Sequence, residues 1–192
     1  YNVGYQHFNA MGTLADTDFF ELFFYGLWRV LPMIIVSYVV GLGIEFAAAQ
    51  IRGHEINEGF LVSGLLIPMI MPINAPLWMV GVSTAFAVII GKEIFGGTGM
   101  NIWNPALLAR AFFFFSYPSM ISGDKVWIAG MPDGFSQATP LAEAAQGLPT
   151  TYDMSSMFWG LIPGSVGETS TFCILLGAIL LICLLYTSDA AD

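Results

Sequence analysis

The chain has 192 residues and a formal net charge of −9 at pH 7, with 56% hydrophobic and 10% charged residues and a mean hydropathy of +0.73. Soluble domains carry about 25% charged residues, and a core of this size cannot hide so many apolar segments, so a bilayer is their natural solvent. Five basic residues argue against a nucleic-acid partner. The two cysteines, Cys173 and Cys183, lie in one apolar run without metal-ligand spacing and read as lipid-facing or packing residues. His7 falls in a polar stretch and His54 in a loop, which speaks against haem ligation.

In chain order, Asp16, Asp18 and Glu21 precede the first apolar run and suit the positive end of a helix dipole. Leu22 to Phe46 is 25 residues, long enough to span with some tilt. Pro32 inside it predicts a kink or a first turn. A charged loop, Arg52 to Gly59, follows. The next apolar pieces are shorter: Phe60–Met71 (12 residues), Leu77–Ile90 (14) and Leu107–Tyr117 (11), with a last one from Phe172. None alone reaches the ~20 residues of a full span. Broken helices of this kind line a protein interior or a transport cavity, or extend through their Gly-rich flanks. The fold expected is an all-α membrane bundle containing Gly/Pro-broken half-helices, with one long polar loop at 118–157 that carries a short helix.

Three stretches carry candidate chemistry. Gly91 to Ala106 holds four glycines in nine residues (Gly91, Gly96, Gly97, Gly99), which lets backbone approach a ligand or a second helix. It is neither a phosphate loop nor a dinucleotide fingerprint. Asn101 and Asn104 are three apart, so on a helical turn their amides face one side. They then either read the donor–acceptor edge of a flavin ring or satisfy loop carbonyls at a helix break. Val40-Gly-Leu-Gly-Ile-Glu45 closes the long span. Glu45 is either a functional intramembrane acid or an interfacial one near Arg52. The third stretch, Asp133-Gly-Phe-Ser-Gln-Ala-Thr-Pro140, lies in the polar loop. There Thr139 suits a helix N-cap, Pro140 the first helical position, and Gly147 a stop after Leu141–Gln146.

The Asp133–Thr139 run resembles the flavin-attachment sequence of the Nqr/Rnf family. That family comprises the B-type subunit of sodium-translocating NADH:quinone reductases and the related D-type subunit of Rnf complexes. The flanks Gly91–Arg110 and Ile162–Thr169 resemble the B-type subunit as well. The loop Gly53 to Gly59 is closer to the B-type than to the Rnf subunit. The resemblance implies FMN joined as a phosphoester to Thr139, within a motif of Asp133, Gly134, Ser136 and Ala138. A separate flavin transferase would attach it from FAD. It also implies non-covalent riboflavin at Asn101 and Asn104, and a quinone and sodium role for the stretch holding Gly41 and Glu45. Leu42 and Gln137 depart from the commoner pattern, each standing where a Gly is frequent.

The function expected is thus that of a membrane subunit of a sodium-pumping NADH:quinone reductase in a bacterial inner membrane, working with other subunits and passing electrons towards quinone. The alternatives are an Rnf-type ferredoxin:NAD oxidoreductase subunit and, from another class, a transporter or channel without redox chemistry. No proton-transfer residue is named, because the flavin supplies the chemistry. The acids before the first span, with Arg52 and Lys92 opposite, predict an external N-terminus. Four crossings then place Ser119–Met157 outside. Both ends read as cut: residues 1–182 are expected to be the middle of a protein about twice this length. Residues 183–192 resemble the in-frame translation of a sequencing adapter.

Overall fold

The computed structural model describes residues 1–53, 59–97, 99–121, 128 and 139–185. Among these the chain is helical without strands, as expected of an all-α membrane protein. The helices are α1 (Asn2–Met11), α2 (Phe19–Arg52), α3 (Phe60–Ile70), α4 (Leu77–Gly91), α5 (Pro105–Ser116), α6 (Pro118–Ile121), α7 (Pro140–Ala145), α8 (Met154–Trp159) and α9 (Thr171–Leu185). Short 3-10 turns cover Leu14–Asp16 and Glu93–Phe95.

The first span is longer than its hydropathy suggests. α2 has 34 residues, about 51 Å of helix. It starts after Asp18 and continues through Ala47-Ala-Ala-Gln50, where strong helix formers carry it past the apolar run. Pro32 lies inside α2 and does not mark its first turn. α4 continues into the following 3-10 turn, so that Leu77–Phe95 offers 19 residues of apolar character. α2 and this segment are the two long enough to cross a membrane among the described residues. α3 and α5, with 11 and 12 residues, reach about 16–18 Å, roughly half of a hydrocarbon core. These two stay short, as their sequences predict.

Contacts along the helices fix their directions. Gly41 of α2 lies against Phe60 and Gly64 of α3 against Tyr38, so α3 runs back along α2. Gly81 of α4 lies against Val36 and Val40, and Lys92 reaches Glu45, so α4 is parallel to α2. Phe86 stacks on Phe112 with centroids 4.3 Å apart, and Trp78 meets Tyr117 edge-on at 5.6 Å, which makes α5 antiparallel to α4. Met33, Ile67, Met71, Val80, Ala87, Ala106, Ala109 and Phe113 fill the space between them. Small residues allow the backbones this approach. Where α1 crosses α2, for example, a Cβ on Gly26 would sit 3.5 Å from the Gly4 nitrogen.

The turn from α3 into α4 is irregular yet buried: Met71, Pro72, Ile73 and Ala75 are all inside. Such backbone is tolerated at membrane depth only within protein, with its polar groups satisfied. Ala75 N donates to Pro72 O at 3.1 Å, and Gly167 N to Met69 O at 3.2 Å. Asn74 Nδ2 donates to Ile128 O at 2.7 Å, and Asn2 Nδ2 to Ile162 O at 3.0 Å. α9 presents an exposed side chain at every position from Thr171 to Leu184, an apolar surface suited to lipid or to other helices. It runs through the 182/183 boundary without a break.

The packing makes a contrast testable. Phe113 is fully buried and Phe115 is 80% exposed on the same helix. Phe113→Ala is expected to cost about 3–5 kcal/mol, and Phe115→Ala about 0.5 kcal/mol or less. Unfolding midpoints of the full-length subunit in detergent read the difference.

Candidate functional site

Met33, Ser37, Gly41 and Glu45 recur every four residues on α2 and are all buried, so one stripe of the helix faces the interior. At its end Lys92 Nζ donates to Glu45 Oε1, and the two side chains are 6% and 5% exposed. Charges this deep are costly singly and are held only as a pair. The Lys92 ammonium also lies 5.9 Å from the centroid of the Phe60 ring, within cation–π range. Phe60 is itself fully buried, and the reason is Gly41: a Cβ there would run into Phe60 Cζ and Cε1.

Farther out, Arg52 Nη1 lies 3.7 Å from Glu93 Oε2, with side chains 36% and 15% exposed. This corrects one sequence reading. The partner of Glu45 is Lys92 and not Arg52, which belongs to Glu93. The four groups form two neutral pairs that tie the end of α2 to the end of α4.

Asn101 and Asn104 stand at the same end of the bundle, since Gly91 lies against Leu108 and Pro105. The helical turn expected to carry both amides is not formed. Asn104 is extended (φ −66°, ψ 120°), the conformation a residue before proline favours. It caps α5 instead: its Oδ1 accepts from Ala106 N at 2.9 Å and Leu107 N at 3.4 Å. Asn101 Oδ1 accepts from Gly99 N at 3.2 Å. Both carbonyl oxygens are thereby used locally. Both side chains are exposed, and each amide nitrogen is left without a partner among the described residues. Two NH2 groups facing outward fit the acceptor atoms of a flavin ring.

Thr139 takes the capping geometry its sequence predicts. It is extended (φ −68°, ψ 152°), and Pro140 follows at the first helical position. Its Oγ1 accepts from Ala142 N at 3.2 Å. Gly147 ends the helix with φ +69°, donating to Ala144 O, while Leu148 N donates to Glu143 O. α7 is then clamped from behind. Glu143, buried, accepts from Thr151 N at 2.9 Å and Thr151 Oγ1 at 2.7 Å. Burial first, and the Glu143 carboxylate second, push the neighbouring Tyr152 phenol above its ordinary pKa. Thr139 Oγ1 remains half-buried at the helix start, a hydroxyl that can be esterified without losing its acceptor role. The fit to a phosphoester is good. Asp133, Gly134, Ser136 and Ala138, together with His54, lie outside the described residues.

The structure therefore joins Gly41 to Glu45 and sets Asn101 and Asn104 at their end of the bundle. Ile128, eleven residues before Thr139, is held by Asn74 at the opposite end. Lys92, Phe60, Glu143 and Thr151 complete these arrangements, and the sequence reading gives none of them a part in a site. Lys92 is 47 residues from its partner, so no local spacing announces it. His7 stacks on Tyr25 at 4.3 Å.

Comparison with known proteins adds a family. Residues 3–188 match the family described as "NQR2, RnfD, RnfE family". The chain is 49% identical over 164 residues to the B-type subunit of the Na(+)-translocating NADH-quinone reductase of Chromohalobacter salexigens, covering 83% of this chain and 39% of that protein. The corresponding protein of Pseudoalteromonas atlantica is 44% identical over 182 residues, 91% of this chain and 45% of its own length. That of Klebsiella pneumoniae is 46% identical over 177 residues, 88% and 42% respectively. The chain thus spans less than half the length of these relatives.

The seat of Phe60 predicts opposite signs at two nearby glycines. Gly41→Ala forces the ring away and is expected to cost about 1–3 kcal/mol. Gly43, with nothing within 4 Å of its Cβ position, should gain about 0.5–1 kcal/mol as Ala. Thermal midpoints of the two full-length variants in detergent check both signs.

Proposed function

Because this chain belongs to the NQR2, RnfD, RnfE family, we propose that it is the membrane core of the B-type subunit of a sodium-translocating NADH:quinone reductase. In this reading it carries FMN on Thr139 and riboflavin at Asn101 and Asn104, and it passes electrons towards quinone while sodium crosses the bilayer. The observation that carries the reading is the 44–49% identity to proteins of that name over most of the chain. The geometry at Thr139 supports it. A bound flavin supplies reversible one- and two-electron redox chemistry, and the protein supplies binding, orientation and electrostatics.

Each residue then has a definite task. Thr139 presents its hydroxyl at the start of α7, where the N–H of Ala142 already points at Thr139 Oγ1 and the helix dipole favours an anion. That end contributes about 0.3–1 kcal/mol, enough to orient a phosphate but not to retain the group, so retention falls to the covalent bond. Glu143 fixes α7 through Thr151. Asn101 and Asn104 offer amide donors while their oxygens hold the loop and the cap. Glu45 offers a buried carboxylate to a cation, and Gly41 lets the Phe60 ring close in beside it. Quinone, sodium, the flavin transferase and the other subunits of the complex are the partners. The site of action is the bacterial inner membrane, with the 118–157 loop external. The alternating directions of α2 to α5 support the last point by returning Ser116 to the end from which α2 starts.

Flavin content of the intact complex tests the assignment. Thr139→Ala is expected to abolish flavin fluorescence of the denatured subunit, and Thr139→Ser to retain it. Asn104→Asp keeps the cap but removes the amide donor, and should release non-covalent flavin without touching the covalent one. A fluorescent denatured band in Thr139→Ala removes the attachment site. Unchanged non-covalent flavin in both Asn101→Leu and Asn104→Asp removes the second.

A further inference from the structure

α2 and α4 bury more oxygen than packing needs. Ser37 and Ser83 are fully buried, and neither Oγ has a hydrogen-bond partner among the described residues. Thr84, by contrast, returns its hydroxyl to Val80 O at 2.8 Å. Because α2 and α4 are parallel, the two bare hydroxyls lie at matching depth, about 12 Å below the Glu45–Lys92 pair. A buried hydroxyl without a partner is an uncompensated cost. Hydroxyl and carboxylate oxygens are also what a hard cation takes as ligands. Above them Glu45 carries the one carboxylate of the α2 stripe, and Lys92 occupies it.

We propose that Lys92 is the resident counter-cation of a monovalent-cation site built on Glu45, and that an entering sodium ion takes its place on the carboxylate. The inference rests on the reading that Glu45 takes up sodium, and it adds the competitor. The choice of lysine suits exchange. An ammonium is a point charge on a flexible stem, whereas a guanidinium would grip the carboxylate through a fixed fork. Phe60 gives the ammonium a second surface, 5.9 Å from its centroid, on which a cation can rest without a carboxylate.

Glu45, Lys92, Arg52 and Glu93 carry charges that cancel before the exchange. Sodium enters, the ammonium leaves Oε1 with its proton, and the group gains one positive charge. Uptake is therefore opposed until the tethered cation moves, which keeps the carboxylate closed to sodium at low concentration. Ser37 and Ser83 mark the depth along α2 and α4 at which a partly dehydrated ion finds its next oxygens.

The test uses the intact complex and reads the sodium chloride concentration that half-saturates NADH:quinone turnover, at constant ionic strength in potassium. With Lys92→Met the competitor is gone and the half-saturating concentration should fall about fivefold or more, with flavin content unchanged. An unaltered or raised value overturns the proposal. Should Lys92→Met fail to assemble because Glu45 is stranded, Lys92→Arg decides. It keeps the charge but grips harder, so half-saturation should rise, and an unchanged value overturns the proposal. Glu45→Gln separates the two levels of the argument. If it leaves the sodium response as in the parent, the sodium role of Glu45 itself falls. If Glu45→Gln removes the response while both Lys92 variants leave it untouched, only the exchange falls.

Discussion

A carboxylate and an ammonium removed from water cost several kcal/mol each unless they meet, and Glu45 and Lys92 meet. That requirement governs much of the remaining structure. It draws the ends of α2 and α4 together in parallel, so the chain must turn twice between them, down through α3 and up through α4. The returning α3 has to begin where the pair lies, and there Phe60 walls the charges. The ring in turn demands a residue without a Cβ on the facing helix, which is Gly41. One electrostatic constraint thus explains a glycine, an aromatic residue and a helix direction.

The consequences are spread over two ends of the bundle. α4 hands over to α5 through the glycine-rich turn, so Asn101 and Asn104 come to stand near the ion pair. α5 then carries the chain back, and the segment leading to Thr139 starts from the far end, where Asn74 holds Ile128. On the proposed function, this separates an ion-and-ring end from a covalent-flavin end. Half-length helices make the arrangement possible. α3 stops early, and the buried Met71–Ala75 turn is tied in by Gly167 and by its own backbone.

What the sequence reveals is what is local. Thr139, Pro140 and Gly147 form an α7 with its cap, first-turn proline and stop, because each acts over a few residues. Hydropathy finds every apolar helix but not their ends: Ala47–Gln50 extend α2 by propensity, not by apolarity. The turn at Asn101 and Asn104 departs from the helical one that their spacing suggests, because Pro105 pushes the preceding residue out of helical space. The Glu45–Lys92 pair is not legible in the sequence. Its partners are 47 residues apart, and the closer cation in sequence, Arg52, has a closer acid in space, Glu93. Asp133, Gly134, Ser136 and Ala138 rest on their resemblance alone.

The account stands on the claim that Glu45 and Lys92 are held as a pair and not merely side by side. A double-mutant cycle on Glu45→Leu and Lys92→Met in the full-length subunit, read from unfolding free energies in detergent, measures that claim directly. The account predicts that each single change is strongly destabilising, because it strands a buried charge. The double change should recover about 2–3 kcal/mol relative to their sum. Additivity of the two single effects to within about 0.5 kcal/mol would contradict it.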